Sequence, residues 1–315
     1  MPEFSREVAS PLTPKMLAPL PPACERVQFQ SALSDKEYAQ LADLLQNHPN
    51  VGLRTYGHRG VEDLEFLRFF PTLRHFSATA VYNLTSIDGL RCLPDDLQSL
   101  AIGRTAKQLP LDGLARFTSL KKLFIEGQRK GIEVLATLRM LEDLTLRSIT
   151  LPDLSLLTGL DRLWSLDLKL GGTTDLDLLP EIGRLRYLEL WMVRGLSDIS
   201  AVSNLTDLEV LFLEALKNVT ELPDLSRCAS LRHVHLATMK GLHDLRPLVQ
   251  APALKSLRAG GMPQLQPTDF ACLGESPTLV QVHAGLGSKR KNDAVAAVLG
   301  ALASAWDGSL TEPTA

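Results

Sequence analysis

The chain has 315 residues, long enough to bury a large core, and its 33 Lys+Arg against 36 Asp+Glu give a net charge of -3. That balance argues against a nucleic-acid binder, which carries a basic excess, and no apolar run reaches the length of a membrane span. Cys24, Cys92, Cys228 and Cys272 lie far apart with no Cys-x-x-Cys, so reduced, mostly buried thiols of a cytosolic protein are expected rather than a disulfide framework or a zinc site.

Residues 1–30 contain six prolines and no apolar core segment. They do not read as a secretory signal, and the composition predicts a mobile, Pro-rich arm. Residues 31–49 predict an N-terminal helical cap. There "SDKEYAQLADLLQ" sets Ser34 and Glu37 at the spacing of a capping box and puts Tyr38, Leu41, Leu44 and Leu45 on one helical face.

From 50 to 287 the chain repeats. Leu-x-x-Leu-x-Leu or a close variant appears as "LRHFSA" at 73, "LQSLAI" at 97, "LKKLFI" at 120, "LEDLTL" at 141 and "LWSLDL" at 163. It continues as "LRYLEL" at 185, "LEVLFL" at 208, "LRHVHL" at 231, "LKSLRA" at 254 and "LVQVHA" at 279, with a degenerate copy, "NVGLRT", at 50. A spacing near 23 residues held over so many copies marks a stack of units, none of which can bury its apolar side alone. Leu-x-Leu has a period of two, so both leucines face one way and the residues between them face the other. Each unit also carries an acid before its last apolar segment: Asp88, Asp112, Glu133, Asp153, Asp177, Asp198, Asp224, Asp244 and Asp269. Their repeat-equivalent positions predict caps on short helical turns rather than catalytic or calcium-binding groups.

Over about three quarters of its length the chain resembles the leucine-rich-repeat family. The resemblance implies an α/β solenoid, a right-handed coil whose concave parallel sheet has about 10–11 short strands and whose ends are closed by helical caps. Where many members carry an asparagine that bonds to neighbouring turns, this chain has Ile149, Val193, Leu216, Met239 and Met262. In this respect "LEALKNVTELPDL" is similar to the irregular repeats of plant disease-resistance receptors. Repeats this short imply helical turns, not full helices, on the convex side. Residues 288–315 predict a C-terminal cap and tail, with Val295, Val298, Leu299, Leu302 and Trp306 at helical spacing and Gly308 as a stop. The basic run "SKRKND" before it reads as a solvated loop, with nuclear targeting or phosphate contact as alternatives.

The residues alternating with the leucines form the candidate site. Successive rows give Lys122, Phe124 and Glu126; Asp143, Thr145 and Arg147; Ser165, Asp167 and Lys169; then Tyr187, Glu189 and Trp191. Val210, Phe212 and Glu214 follow, then His233, His235 and Ala237. Aromatic and charged groups gather in the middle, where Tyr187 and Trp191 are of the types that anchor interfaces and the charges would set orientation. His233 and His235 could ligate a metal, but Arg258 lies on the next strand and His283 two strands away, so a solvated or partner-contacting pair is expected. No phosphate loop, nucleophile elbow or metalloprotease motif is present, and no length remains beyond the caps for a catalytic domain. The sequence therefore points to a cytoplasmic, monomeric, non-catalytic module without cofactor or metal that binds a protein partner. A bacterial adaptor or immunity-type protein is the first form of this expectation. An effector delivered into a host cell, or a regulator of a phosphatase or GTPase using Arg147 or Arg258, are the alternatives.

Overall fold

Burial of the two alternating apolar positions of each strand is what the leucine spacing dictates. From His75 to Gly260, the second and fourth residues of each strand are buried, as with Leu123 and Ile125, Leu166 and Leu168, and Leu188 and Leu190. The leucine three residues before each pair is buried too, from Leu73 to Leu279. The computed structural model describes residues 4–57 and 61–304. The chain divides into two units, Met1–Leu144 and Thr145–Ala315.

The first unit carries β1 (Ser5–Glu7), β2 (Arg26–Phe29), β3 (Gly52–Tyr56), β4 (His75–Thr79), β5 (Ser99–Ile102) and β6 (Lys122–Glu126), each parallel to the next. Strand β7 (Asp143–Arg147) carries the chain from one unit to the other. The second unit holds β8 (Ser165–Lys169), β9 (Tyr187–Trp191), β10 (Val210–Glu214), β11 (His233–Ala237), β12 (Ser256–Gly260) and β13 (Gln281–Gly285), again parallel in chain order. Short 3-10 turns such as Ser200–Asn204 and Arg246–Gln250 return the chain between strands, as the repeat length requires. This is the leucine-rich-repeat solenoid. The strand number exceeds the expected 10–11, because two strands precede the first recognisable repeat.

Those two strands replace the arm expected over residues 1–30. Within residues 4–30, Ser10 and Leu12 donate to Glu37 at the start of helix α1 (Asp35–Gln46). The Glu37 carboxylate accepts from Ser34 N at 2.8 Å, Ser34 Oγ at 2.8 Å, Ser10 Oγ at 2.9 Å and Leu12 N at 3.0 Å. The hydrogen bonds with Ser34, chiefly, bring its pKa down to about 2. The capping box is thus present and also tethers residues 10–12. Tyr38, Leu41 and Leu45 are buried, with Tyr38 stacked on Phe66 at 5.0 Å, while Leu44 is half-buried.

At the other end, helix α2 (Lys289–Leu299) buries Val295 and Leu299 but leaves Val298 43% exposed. The basic residues Lys289, Arg290 and Lys291, expected in a loop, form its first turn because Ser288 caps it, its side chain accepting from Lys291 N at 3.3 Å. Trp306 and Gly308 lie outside the described residues.

Of the nine repeat acids, four cap the turn as expected, and Asp269 accepts instead from Gln266 N in a capping box. Asp153, Asp198, Asp224 and Asp244 accept from the N–H two residues on, at 2.8–2.9 Å. All four carboxyls lie below the usual range: Asp244 chiefly through the Arg246 side chain and then its N–H, Asp153 through the side chain and then the N–H of Ser155, and Asp198 and Asp224 chiefly through the N–H of Ser200 and Ser226. At Asp88 the turn begins at the acid itself, and its N–H donates to Ser86 Oγ, while the N–H of Asp177 donates to Asp175 Oδ1 at 3.1 Å. Strands β7 to β12 each exit through a residue with positive φ: Ser148, Leu170, Met192, Ala215, Thr238 and Gly261. Its N–H still donates to the next strand, as Leu170 N does to Trp191 O at 2.8 Å. This left-handed conformation costs a non-glycine residue about 1–2 kcal/mol. The residues standing in the asparagine position, Ile149, Val193, Leu216, Met239 and Met262, are all buried.

Leu188 is fully buried. Leu188→Ala is expected to cost about 3–5 kcal/mol in urea unfolding, since a stacked core closes poorly around the void. A loss below about 1 kcal/mol would remove Leu188 from the core.

Candidate functional site

Because β8 to β12 are in register, their outward residues align in three rows on the face away from the leucines. One row is Ser165, Tyr187, Val210, His233 and Ser256; the middle row is Asp167, Glu189, Phe212, His235 and Arg258; the third is Lys169, Trp191, Glu214, Ala237 and Gly260. The second unit thus brings together the expected residues from Arg147 to His235. Lys122, Phe124 and Glu126 alternate along β6 with the core residues Leu123 and Ile125 in the first unit, and Lys122 Nζ pairs with Asp143 at 3.7 Å.

At the middle of these rows the charges are engaged with each other. Lys169 Nζ lies 2.8 Å from Glu189 Oε2 and 3.2 Å from Asp167 Oδ2. Tyr187 OH donates to Glu189 Oε2 at 3.0 Å, and Thr145 Oγ1 donates to Asp167 Oδ2 at 2.9 Å. One ammonium therefore serves two carboxylates on adjacent strands. Asp167 Oδ1 is buried without a hydrogen-bond partner among the described residues. Burial, opposed by Lys169 and reinforced by Glu189, pushes the Asp167 carboxyl up to about 6. Burial, with the charge of Glu189, also raises Glu214.

Two expected contact residues prove to be buried. Glu189 is only 8% exposed because Lys169 and Tyr187 cover it. Phe212 is 8% exposed because the His235 ring stacks on it, centroids 4.0 Å apart. Sequence alternation gives the direction of a side chain, not what its neighbours lay over it. Tyr187 and Trp191 remain partly open, and the Arg147 guanidinium lies 5.1 Å from the Trp191 ring centroid, a cation–π distance. That pairing joins residues 44 positions apart, and no local pattern signals it.

His233 Nδ1 lies 2.7 Å from Ser256 Oγ, and burial, with Arg258 second, depresses His235 to about 4. Among the described residues no group of three His, Cys, Asp or Glu side chains could hold a metal ion. Nor is any helix long and apolar enough to cross a membrane. Cys24 and Cys228 are buried free thiols, Cys92 and Cys272 half-buried ones, and burial raises Cys228 to about 11.

By sequence the chain matches no protein-family model and no curated protein. By structure it is similar to an internalin (InlF) of Listeria monocytogenes, at 17% identity and TM-score 0.59 over 98% of this chain and 86% of that one. A leucine-rich-repeat protein of Leptospira interrogans aligns at 16% identity and TM-score 0.44 over 89% of this chain and 91% of that one. At such identities the likeness to the internalin speaks to the fold alone, and it agrees with the solenoid derived from the repeats.

The two perturbed groups oppose each other between pH 7 and 5. Asp167, raised in the fold, adds stability as pH falls through 6, whereas His235, depressed in the fold, loses stability as pH falls below its unfolded value near 6.5. In urea unfolding, Asp167→Asn should lose about 1 kcal/mol relative to the parent on going from pH 7 to 5, and His235→Phe should gain about 2 kcal/mol. Parallel pH profiles for all three proteins would contradict this electrostatic account.

Proposed function

We propose that the chain is a non-catalytic protein-binding module that receives a protein partner on the outward face of the second-unit strands. The observation that carries the reading is Trp191. It is a partly open aromatic on a strand paired on both edges, with the Arg147 guanidinium over its ring. Side chains already fixed lose little entropy on docking, and Trp, Tyr and Arg are the usual hot-spot types. Arg147 is laid on Trp191, which supports an anchoring role over the extended arginine that an enzyme activator would present.

In its finer form the reading is a cytoplasmic bacterial adaptor or immunity-type protein that acts by covering its partner, with no cofactor, and as a monomer. Delivery into a host cell as an effector is the alternative use of the same surface. A toxin gene beside this one supports the first, and a secretion-linked promoter supports the second.

Affinity capture with the intact protein from its native cytosol, followed by titration of the captured partner, tests the surface. Trp191→Ala and Tyr187→Ala should each weaken the partner by about 2–4 kcal/mol while leaving the melting temperature within a few degrees of the parent. Unchanged affinity in both variants overturns the assignment. Loss of folding instead would place these residues in the core.

A further inference from the structure

The positive-φ residues that end the second-unit strands are unequal. Gly261 adopts this region freely, Ser148 and Ala215 are small, and Thr238 is β-branched and strained there, but its side chain is short and partly polar. The other two, Leu170 and Met192, are bulky, apolar and on adjacent repeats, where the conformation is a genuine outlier. Leu170 is half-buried and Met192 is 44% exposed, directly beyond Trp191. The core does not require the Met192 side chain, since the next residue, Val193, turns inward at 5% exposure. A strained backbone carrying an exposed apolar group is an observation from which a functional role can be argued.

Two residues past the strained position, three consecutive repeats carry a cation: Arg194, Lys217 and Lys240, all exposed. None forms an ion pair among the described residues. The carboxylates four residues further on are turned elsewhere in two of the three repeats, Asp198 accepting from Ser200 N and Asp244 from Arg246 N. In the middle repeat Glu221 lines a separate groove with Asp198 and Pro223. At the usual strand separation of about 4.8 Å, three such repeats set their cations over about 10 Å, the reach of a short peptide segment.

We infer that this rim is a docking surface for a partner segment that combines an apolar anchor side chain with flanking carboxylates. The anchor sits against Leu170, Met192 and Trp191, and the carboxylates meet Arg194, Lys217 and Lys240. The inference rests on the protein-binding reading above and adds the chemistry of the partner, taken from charge complementarity and the exposed apolar edge. It also accounts for a bulky residue held at positive φ: a glycine there would relax the backbone and forfeit the contact.

The test uses three capped peptides, Glu-Glu-Leu-Glu-Glu, Glu-Glu-Ser-Glu-Glu and Lys-Lys-Leu-Lys-Lys, titrated at low salt into the full chain and followed by amide NMR shifts. The first should move the resonances of Leu170, Met192 and the three cations and bind at least ten-fold tighter than the other two. The combined variant Arg194→Gln, Lys217→Gln, Lys240→Gln should weaken it at least ten-fold. Met192→Gly should weaken it while raising the melting temperature by about 2 °C, a gain that a structural role for the side chain would not give. Equal binding of the basic peptide, no shift at the rim with any peptide, or a lowered melting temperature for Met192→Gly overturns the inference. Rim variants that keep full affinity for the captured cytosolic partner, while Tyr187→Ala loses it, also overturn the inference and leave the strand-face reading standing. If Trp191→Ala, Tyr187→Ala and the rim variants all keep full affinity, both readings fall.

Discussion

The period-two burial of leucine is the constraint on which the rest depends. Once Leu188 and Leu190 point into the stack, Tyr187, Glu189 and Trp191 have no choice of direction, and the parallel register with Val210–Glu214 fixes which residues stand beside them. A slip of one residue would exchange the two faces and expose the leucines, at a cost of about 2 kcal/mol per side chain. The core therefore enforces the surface. Most of what distinguishes this chain from another of the same fold lies in residues that the core does not specify.

Those outward residues act on each other before they act on anything else. Lys169 joins Asp167 to Glu189, Tyr187 and Thr145 complete the hydrogen bonds, Arg147 covers one side of Trp191, and His235 covers Phe212. Buried ion pairs of this kind add little net stability, because desolvation consumes most of the attraction. Their consequence is positional. The open edges of Tyr187 and Trp191 rest on a layer that has already given up its side-chain freedom.

The period of the coil, the direction of its strands and the cap at Ser34 were legible in the sequence because each follows from a short-range rule. Leucine spacing, alternation and the Ser-x-x-Glu pattern need no knowledge of distant residues. The folding of residues 4–30 was not legible, because it depends on Ser10 and Leu12 reaching Glu37 across 25 or more positions. The burial of Phe212 and Glu189 escaped for a related reason: His235 and Lys169, which cover them, come from neighbouring repeats, and alternation says nothing about reach. The strained conformations of Leu170 and Met192 were equally silent, since neither residue type advertises a positive φ. Sequence logic stops where side chains of different turns begin to choose one another.

That boundary has a physical consequence for how a repeat surface acquires a partner. Substitutions at outward positions leave the leucine stack intact, so aromatic, charged or strained residues can accumulate there at modest cost to the fold. Replacing a non-glycine exit residue with glycine would relax the backbone locally, yet Leu170 and Met192 stand on adjacent repeats, Met192 next to Trp191. Strain is tolerated because the stack on either side over-determines the turn, each exit N–H being held by the carbonyl of the following strand, as Met192 N is by Glu214 O at 2.9 Å. A ladder that regular can carry two unfavourable turns without losing register, and the side chains so displayed are placed where no regular turn would put them.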